Sequence, residues 1–172
     1  MLKPLVLLAG AALAVAGLAL AAPQRDTYAL SANLRARSEV PKPSRVPAGA
    51  VGLFTGKAVE LQSDRARLTW RLTFRKLSGR AIAAHIHAGR PGKAGNVIVP
   101  LCGPCRSGQR GAATITHAQL RAIRRGATYV NVHTVRNAAG EVRGQLKAST
   151  TGDDSPPAPG PSPEPPPPTP YP

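Results

Sequence analysis

Three of the four histidines in this chain fall where alternating strands would gather them. In Ala84-His85-Ile86-His87-Ala88-Gly89, a strand sends His85 and His87 to one face and Ile86 to the other. In Tyr129-Val130-Asn131-Val132-His133-Thr134, His133 leaves the face opposite Val130 and Val132. Imidazole is a common metal ligand that titrates near neutral pH, and three of them suit copper or zinc. Three ligands also leave a coordination position open for water or another group. The alternative is a metal-free hydrogen-bonded cluster tying both strands to the loop 89–95. Asn131 shares the face of His133, and Glu141 and Arg143 fall on the corresponding side of the next strand, so these three form the expected supporting network. Spacing alone leaves both readings open.

The elements that must position these groups are mostly strands. Between 66 and 77, Leu68, Trp70, Leu72 and Phe74 alternate with Arg67, Thr69, Arg71, Thr73 and Arg75, the pattern of a half-buried antiparallel strand with a basic outer face. Trp70, the single tryptophan, is a core anchor on this pattern. Further strands are expected at 28–35, 51–61, 81–88, 96–101, 112–115, 128–135 and 141–147, separated by turns such as Gly89-Arg90-Pro91-Gly92 and Asn137-Ala138-Ala139-Gly140. Seven or eight short antiparallel strands at this spacing predict an all-β sandwich or barrel. One short helix interrupts them: Thr116 and Gln119 form a capping box, Leu120 and Ile123 an apolar stripe, and Gly126 the C-terminal stop. His117 opens that helix and is read as a surface bystander.

Both ends of the chain read as separable. Residues 1–21 combine Lys3, the apolar run from Leu5 to Leu20, and small residues ahead of Ala22, the signature of an export signal. Residues 149–172 carry no aliphatic larger than Ala and include Pro165-Pro166-Pro167-Pro168, which predicts a disordered proline-rich tail with no hydrophobic anchor. The domain is expected at 22–148. Twenty-two Lys and Arg there face Asp26, Glu39, Glu60, Asp64 and Glu141, a net charge of about +17. That charge favours anionic partners, and Arg67, Arg71 and Arg75 are the candidate contacts with an anionic envelope polymer. The basic residues are spread along the chain, so solubility alone is an equal explanation, and nucleic acid is not the expected partner. Cys102-Gly103-Pro104-Cys105 matches a thioredoxin-like centre in residues but lacks a helix after the first cysteine, so a local disulfide is expected. No Ser-His-Asp order or paired carboxylates suggest a hydrolase.

The order Ser38-Glu39-Val40-Pro41, Ala84-His85-Ile86-His87, Val97-Ile98-Val99-Pro100-Leu101, Tyr129-Val130-Asn131-Val132-His133-Thr134 and Gly140-Glu141-Val142-Arg143-Gly144-Gln145-Leu146 resembles the chordin (CHRD) domain. The resemblance spans nearly everything from Tyr28 to Leu146. In animal chordin such domains belong to an extracellular antagonist of bone morphogenetic proteins, and most other members are secreted proteins of undefined role. The resemblance therefore implies fold and compartment more than activity. The HxH strand and the later V-x-V-H-T strand are also similar to the copper-ligand layout of copper/zinc superoxide dismutase, a Greek-key β-sandwich. That likeness implies His85, His87 and His133 as copper-like ligands. A bridging histidine and the further zinc ligands are missing, since only His117 is left over, so a two-metal dismutase site is not implied. The expectation is one secreted, Greek-key all-β domain acting as a non-catalytic extracytoplasmic binding or structural module toward an unidentified protein or an anionic envelope polymer. Its rivals are a mononuclear copper protein, with redox chemistry among its options, and a polyanion-binding protein.

Overall fold

A computed structural model describes residues 25–61 and 63–151. The expected export signal and nearly all of the expected proline-rich tail lie outside the described residues. Alternation builds the first three strands. In β1 (Thr27–Arg35), Tyr28, Leu30, Ala32 and Leu34 are buried. β2 (Val51–Glu60) and β3 (Arg65–Arg75) continue an antiparallel meander in which Phe54 lies opposite Leu72, and Ala58 opposite Leu68. The chain then crosses to β4 (Ala81–Ala88) and its partner β5 (Val97–Cys102), and returns to β3 as β6 (Gln109–Thr116). After α1 (His117–Arg124) it crosses again to β7 (Thr128–Thr134) beside β4, and ends in β8 (Val142–Gln145) and β9 (Lys147–Thr150).

The resulting order, β5-β4-β7-β8-β1-β2-β3-β6 with β9 beside β1, is a nearly closed antiparallel barrel or sandwich whose edges β5 and β6 approach each other. Closure leaves little unpaired edge and wraps one core around Leu34, Phe54, Leu68, Leu72, Ile86, Ile115, Val130, Val132 and Leu146. α1 buries Leu120 and Ile123 against it. The helix starts at the capping box of Thr116 and Gln119 and stops where Gly126 takes φ +64°.

Two expectations need correction. The run 141–147 divides at Leu146, so nine strands, rather than seven or eight, stand among the described residues. Val142–Gln145 pairs with β7, whereas Lys147–Thr150 pairs with β1. The domain also continues past residue 148. Ser149 and Thr150 lie opposite Ala29 and Tyr28, and the Thr151 amide donates to Thr27 O at 2.8 Å. Side-chain alternation does not reveal β9, because its pairing uses backbone groups and only Ala148 packs inward from it.

Trp70 is 6 % exposed and sits opposite Gly111 on β6, where any Cβ would strike the indole ring. Gly111→Val is expected to displace the ring and lower stability by about 1–3 kcal/mol. Urea unfolding followed by emission of the single tryptophan measures both effects; an unchanged midpoint and emission maximum would show that the indole does not need this space.

Candidate metal centre

β7 is buried along its whole length, which is the first sign that its outward face does more than meet solvent. Val130 and Val132 enter the core. Tyr129, Asn131 and His133 point the other way, yet they are only 3 %, 2 % and 9 % exposed. Register with β4 sets His133 beside Ala83, Asn131 beside His85 and Tyr129 beside His87. On the other side Arg143 and Gln145 of β8 lie opposite Asn131 and Tyr129. The outcome is a second, polar layer over the β4-β7-β8 part of the sheet.

The structure brings His85, His87 and His133 together, each offering a ring nitrogen within 4.8 Å of the others. Backbone carbonyls orient two of the rings. His87 Nδ1 lies 2.9 Å from Gly95 O, and His133 Nδ1 lies 2.9 Å from Ala138 O. A carbonyl can only accept, so both Nδ1 atoms carry the proton and both Nε2 atoms present lone pairs. His133 Nε2 is 3.1 Å from His85 Nδ1, while His87 Nε2 is buried with no partner among the described residues. Burial and the neighbouring histidines push the His85 pKa down to about 4. Burial also lowers His87, aided by the Arg143 charge, and His133, aided by His87, against the carbonyl contacts that raise them. Three neutral imidazoles at neutral pH are the form that binds a metal.

Surrounding groups clamp this arrangement. The imidazole of His87 stacks on Tyr129 with ring centres 4.9 Å apart and planes 9° apart. The Arg143 guanidinium covers the other side of Tyr129 at 3.4 Å and donates from Nη2 to Arg90 O (3.1 Å) and Lys93 O (2.8 Å). Arg143 therefore buttresses His87 through Tyr129 and pins the 89–95 loop, rather than touching a histidine. Asn131 donates to both carboxylate oxygens of Glu39 at 2.9 Å. Gly140, at φ +135°, makes this approach feasible, since a Cβ there would meet both Asn131 and Glu39.

Glu141 is not where the sequence pattern placed it. Its carboxylate accepts from the Ser78 amide and hydroxyl, from Thr134 Oγ1 (2.6 Å) and from Asn137 Nδ2 (3.2 Å), and so fixes the β7–β8 turn instead of serving the histidines. Burial raises its pKa, but these hydrogen bonds outweigh burial and hold it below the usual carboxylate range. The acid that reaches the polar layer is Glu39, whose pKa burial raises to about 7 against the lowering by the Val40 amide and Arg143. Glu39 and Tyr129 were visible in the Ser-Glu-Val-Pro and Tyr-Val-Asn-Val-His-Thr elements, but nothing local assigned them a role. His117 lies apart on α1, 3.3 Å from Asp64. Cys102 and Cys105 are joined to each other at the end of β5, with no helix following. Arg67, Arg71 and Arg75 are exposed on β3.

The histidines impose an acid sensitivity. Their folded pKa values lie below the unfolded one, so the unfolded chain protonates first as pH drops below about 6.5. Stability is lost from there down to the folded value, about 4 for His85. Glu39 acts oppositely, since its raised pKa adds stability as pH falls from about 7 toward its ordinary value of 4.5. In a Glu39→Gln background the urea midpoint is expected to fall between pH 6.5 and 4, and less so when His85→Gln is added. Equal slopes in the two backgrounds would contradict the assignment.

A family model matches this chain, that of the CHRD domain, over residues 30–146, a span that holds all three histidines, Glu39 and Arg143. No curated protein and no solved structure matches it.

Proposed function

This chain belongs to the CHRD domain family, and we propose that it works as an exported, non-catalytic binding module whose working element is a mononuclear metal site. His85, His87 and His133 would hold the ion, with copper preferred to zinc because affinity for a nitrogen site peaks at copper. The observation that carries this reading is the buried, unpartnered Nε2 of His87, kept as a lone pair by the Gly95 carbonyl on its other nitrogen. Two further orphans lie in the same layer, the acceptor Asn131 Oδ1 and the donor Arg143 Nη1, whose guanidinium covers the Tyr129 ring; an acceptor without a donor calls for a cation or an ordered water. The ion would supply Lewis acidity and a position for a ligand from a partner. Neither Glu39 nor Glu141 is free to act there as a base, since one is held by Asn131 and the other by Ser78, Thr134 and Asn137. Export is supported by the closed Cys102–Cys105 bridge, which suits an oxidising compartment, and by the apolar N-terminal run in the sequence. Among the described residues no helix is long and apolar enough to cross a membrane.

A second reading rests on the 3.1 Å contact between His85 and His133, which a metal-free seam would use as a hydrogen bond. Titration with copper and with zinc, followed calorimetrically, separates the two. One equivalent of copper is expected to bind, and His87→Ala and His133→Ala are each expected to weaken it by on the order of 100-fold or more, beyond what loss of a supporting residue costs. Arg143→Met is expected to weaken binding by a smaller factor, about tenfold, through Tyr129 and His87. Absent stoichiometric binding, or affinity indifferent to both histidine substitutions, the seam reading replaces the metal site.

A further inference from the structure

The other half of the barrel wall carries a feature unrelated to the histidines. On the outward face of β1, β2, β3 and β6, six cations are exposed beyond Arg65 at the start of β3: Arg35, Lys57, Arg67, Arg71, Arg75 and Arg110. Register turns them into a strip. Arg35 and Arg75 flank Val51, Arg71 lies between Thr55 and Arg110, and Lys57 lies beside Thr69. Arg67 ends the strip next to Val59. With about 3.4 Å per residue, the distance from Arg75 to Arg67 is roughly 27 Å.

No acid interrupts this strip. Glu39 is buried in the histidine layer and Glu141 under the β7–β8 turn, Asp26 and Glu60 meet the Tyr28 hydroxyl, and Asp64 meets His117. Among the described residues none of the six cations has a carboxylate partner. Arg71 and Arg110 even face each other directly across β3 and β6, a like-charge pair that is unfavourable until an anion lies between them. Two clefts run along the strip. One of about 430 Å³ separates Arg35 from Arg75 and offers Asn33 and Thr73 as hydrogen-bonding groups. The next, about 280 Å³, lies among Lys57, Arg71 and Arg110 with Thr55 and Thr69.

We propose that this strip binds an extended acidic polysaccharide, its carboxylate or sulfate groups on the cations and its hydroxyls on the interleaved threonines. Charge complementarity selects a polyanion, and the rest of the face selects its kind. Single-stranded nucleic acid needs a row of aromatic platforms, but Trp70, Tyr28, Tyr129 and Phe54 are buried, and Phe74, half-buried against the core, is one ring rather than a row. A bilayer surface needs apolar groups to insert, and Leu53 is the one exposed large apolar side chain at the centre of this face.

The test is retention of the full chain on immobilised polygalacturonate, dextran sulfate and neutral dextran across a salt gradient, with EDTA present so that the histidine site plays no part. Retention is expected on one or both acidic polymers, with the tighter one identifying carboxylate or sulfate, and it should fall steeply with salt. Arg71→Glu with Arg110→Glu is expected to weaken binding by about tenfold or more. Arg121→Glu with Arg125→Glu, exposed on and just after α1, makes the same change in net charge and is expected to weaken it far less. Lys57→Ala with Arg75→Ala provides a milder variant that should reduce both affinity and salt dependence, and the tryptophan-monitored urea midpoint confirms that each variant folds. Equal loss in the α1 control, equal retention on neutral dextran, or tighter binding of single-stranded DNA through the same residues would each overturn the proposal.

Discussion

The constraint on which the rest depends is that β7 has no solvent-facing side. Val130 and Val132 close the apolar core, and Tyr129, Asn131 and His133 must then find partners within the protein, because a buried polar group without one costs free energy. Every loop above the sheet answers part of that demand. Gly95 O takes the His87 proton, Ala138 O takes that of His133, and Glu39 takes the Asn131 amide. Arg143 then holds the 89–95 loop by its carbonyls while covering Tyr129. What the described residues leave unsatisfied in this layer is two acceptors, His87 Nε2 and Asn131 Oδ1, and one donor, Arg143 Nη1, whose guanidinium lies over the Tyr129 ring.

Sequence alternation reaches one half of this arrangement and misses the other for a physical reason. It places His85 and His87 on one face, sets His133 opposite Val130 and Val132, and identifies the β4 strand at its observed limits, because side-chain direction in a strand is a local property. It also anticipates the capping box of α1 and the bridge between Cys102 and Cys105, both set within four residues. Contacts made across the fold carry no such local signature. Glu39 reaches Asn131 from 92 residues away, and Glu141 turns to Ser78, 63 residues distant, although its place beside β8 pointed toward the histidines. β9 escapes for a related reason, since backbone pairing with β1 asks little of its side chains.

The two halves of the wall use charge in contrasting ways. Over β4, β7 and β8 burial drives four groups toward neutrality beside the buried Arg143 guanidinium: His85, His87 and His133 lose affinity for protons, and Glu39 gains it. Over β1, β2, β3 and β6 the charges stay in water and remain unpaired among the described residues. One sheet thus carries a dry polar layer and a wet basic strip, with the same apolar core behind both. Neither surface borrows residues from the other, so each can be altered by substitution without dismantling its counterpart.

The bond from Thr151 to Thr27 puts the two ends of the described domain side by side. Those ends sit at the start of β1, whereas Arg143, opposite Arg35, marks the level of the histidine layer eight residues further along the strand. At about 3.3 Å per residue the separation is roughly 26 Å. Such a domain behaves as a cassette. It can be spliced into a longer chain, strung in tandem or circularly permuted through one seam, and whatever is fused there stands at the far pole from the histidines, leaving that mouth unobstructed.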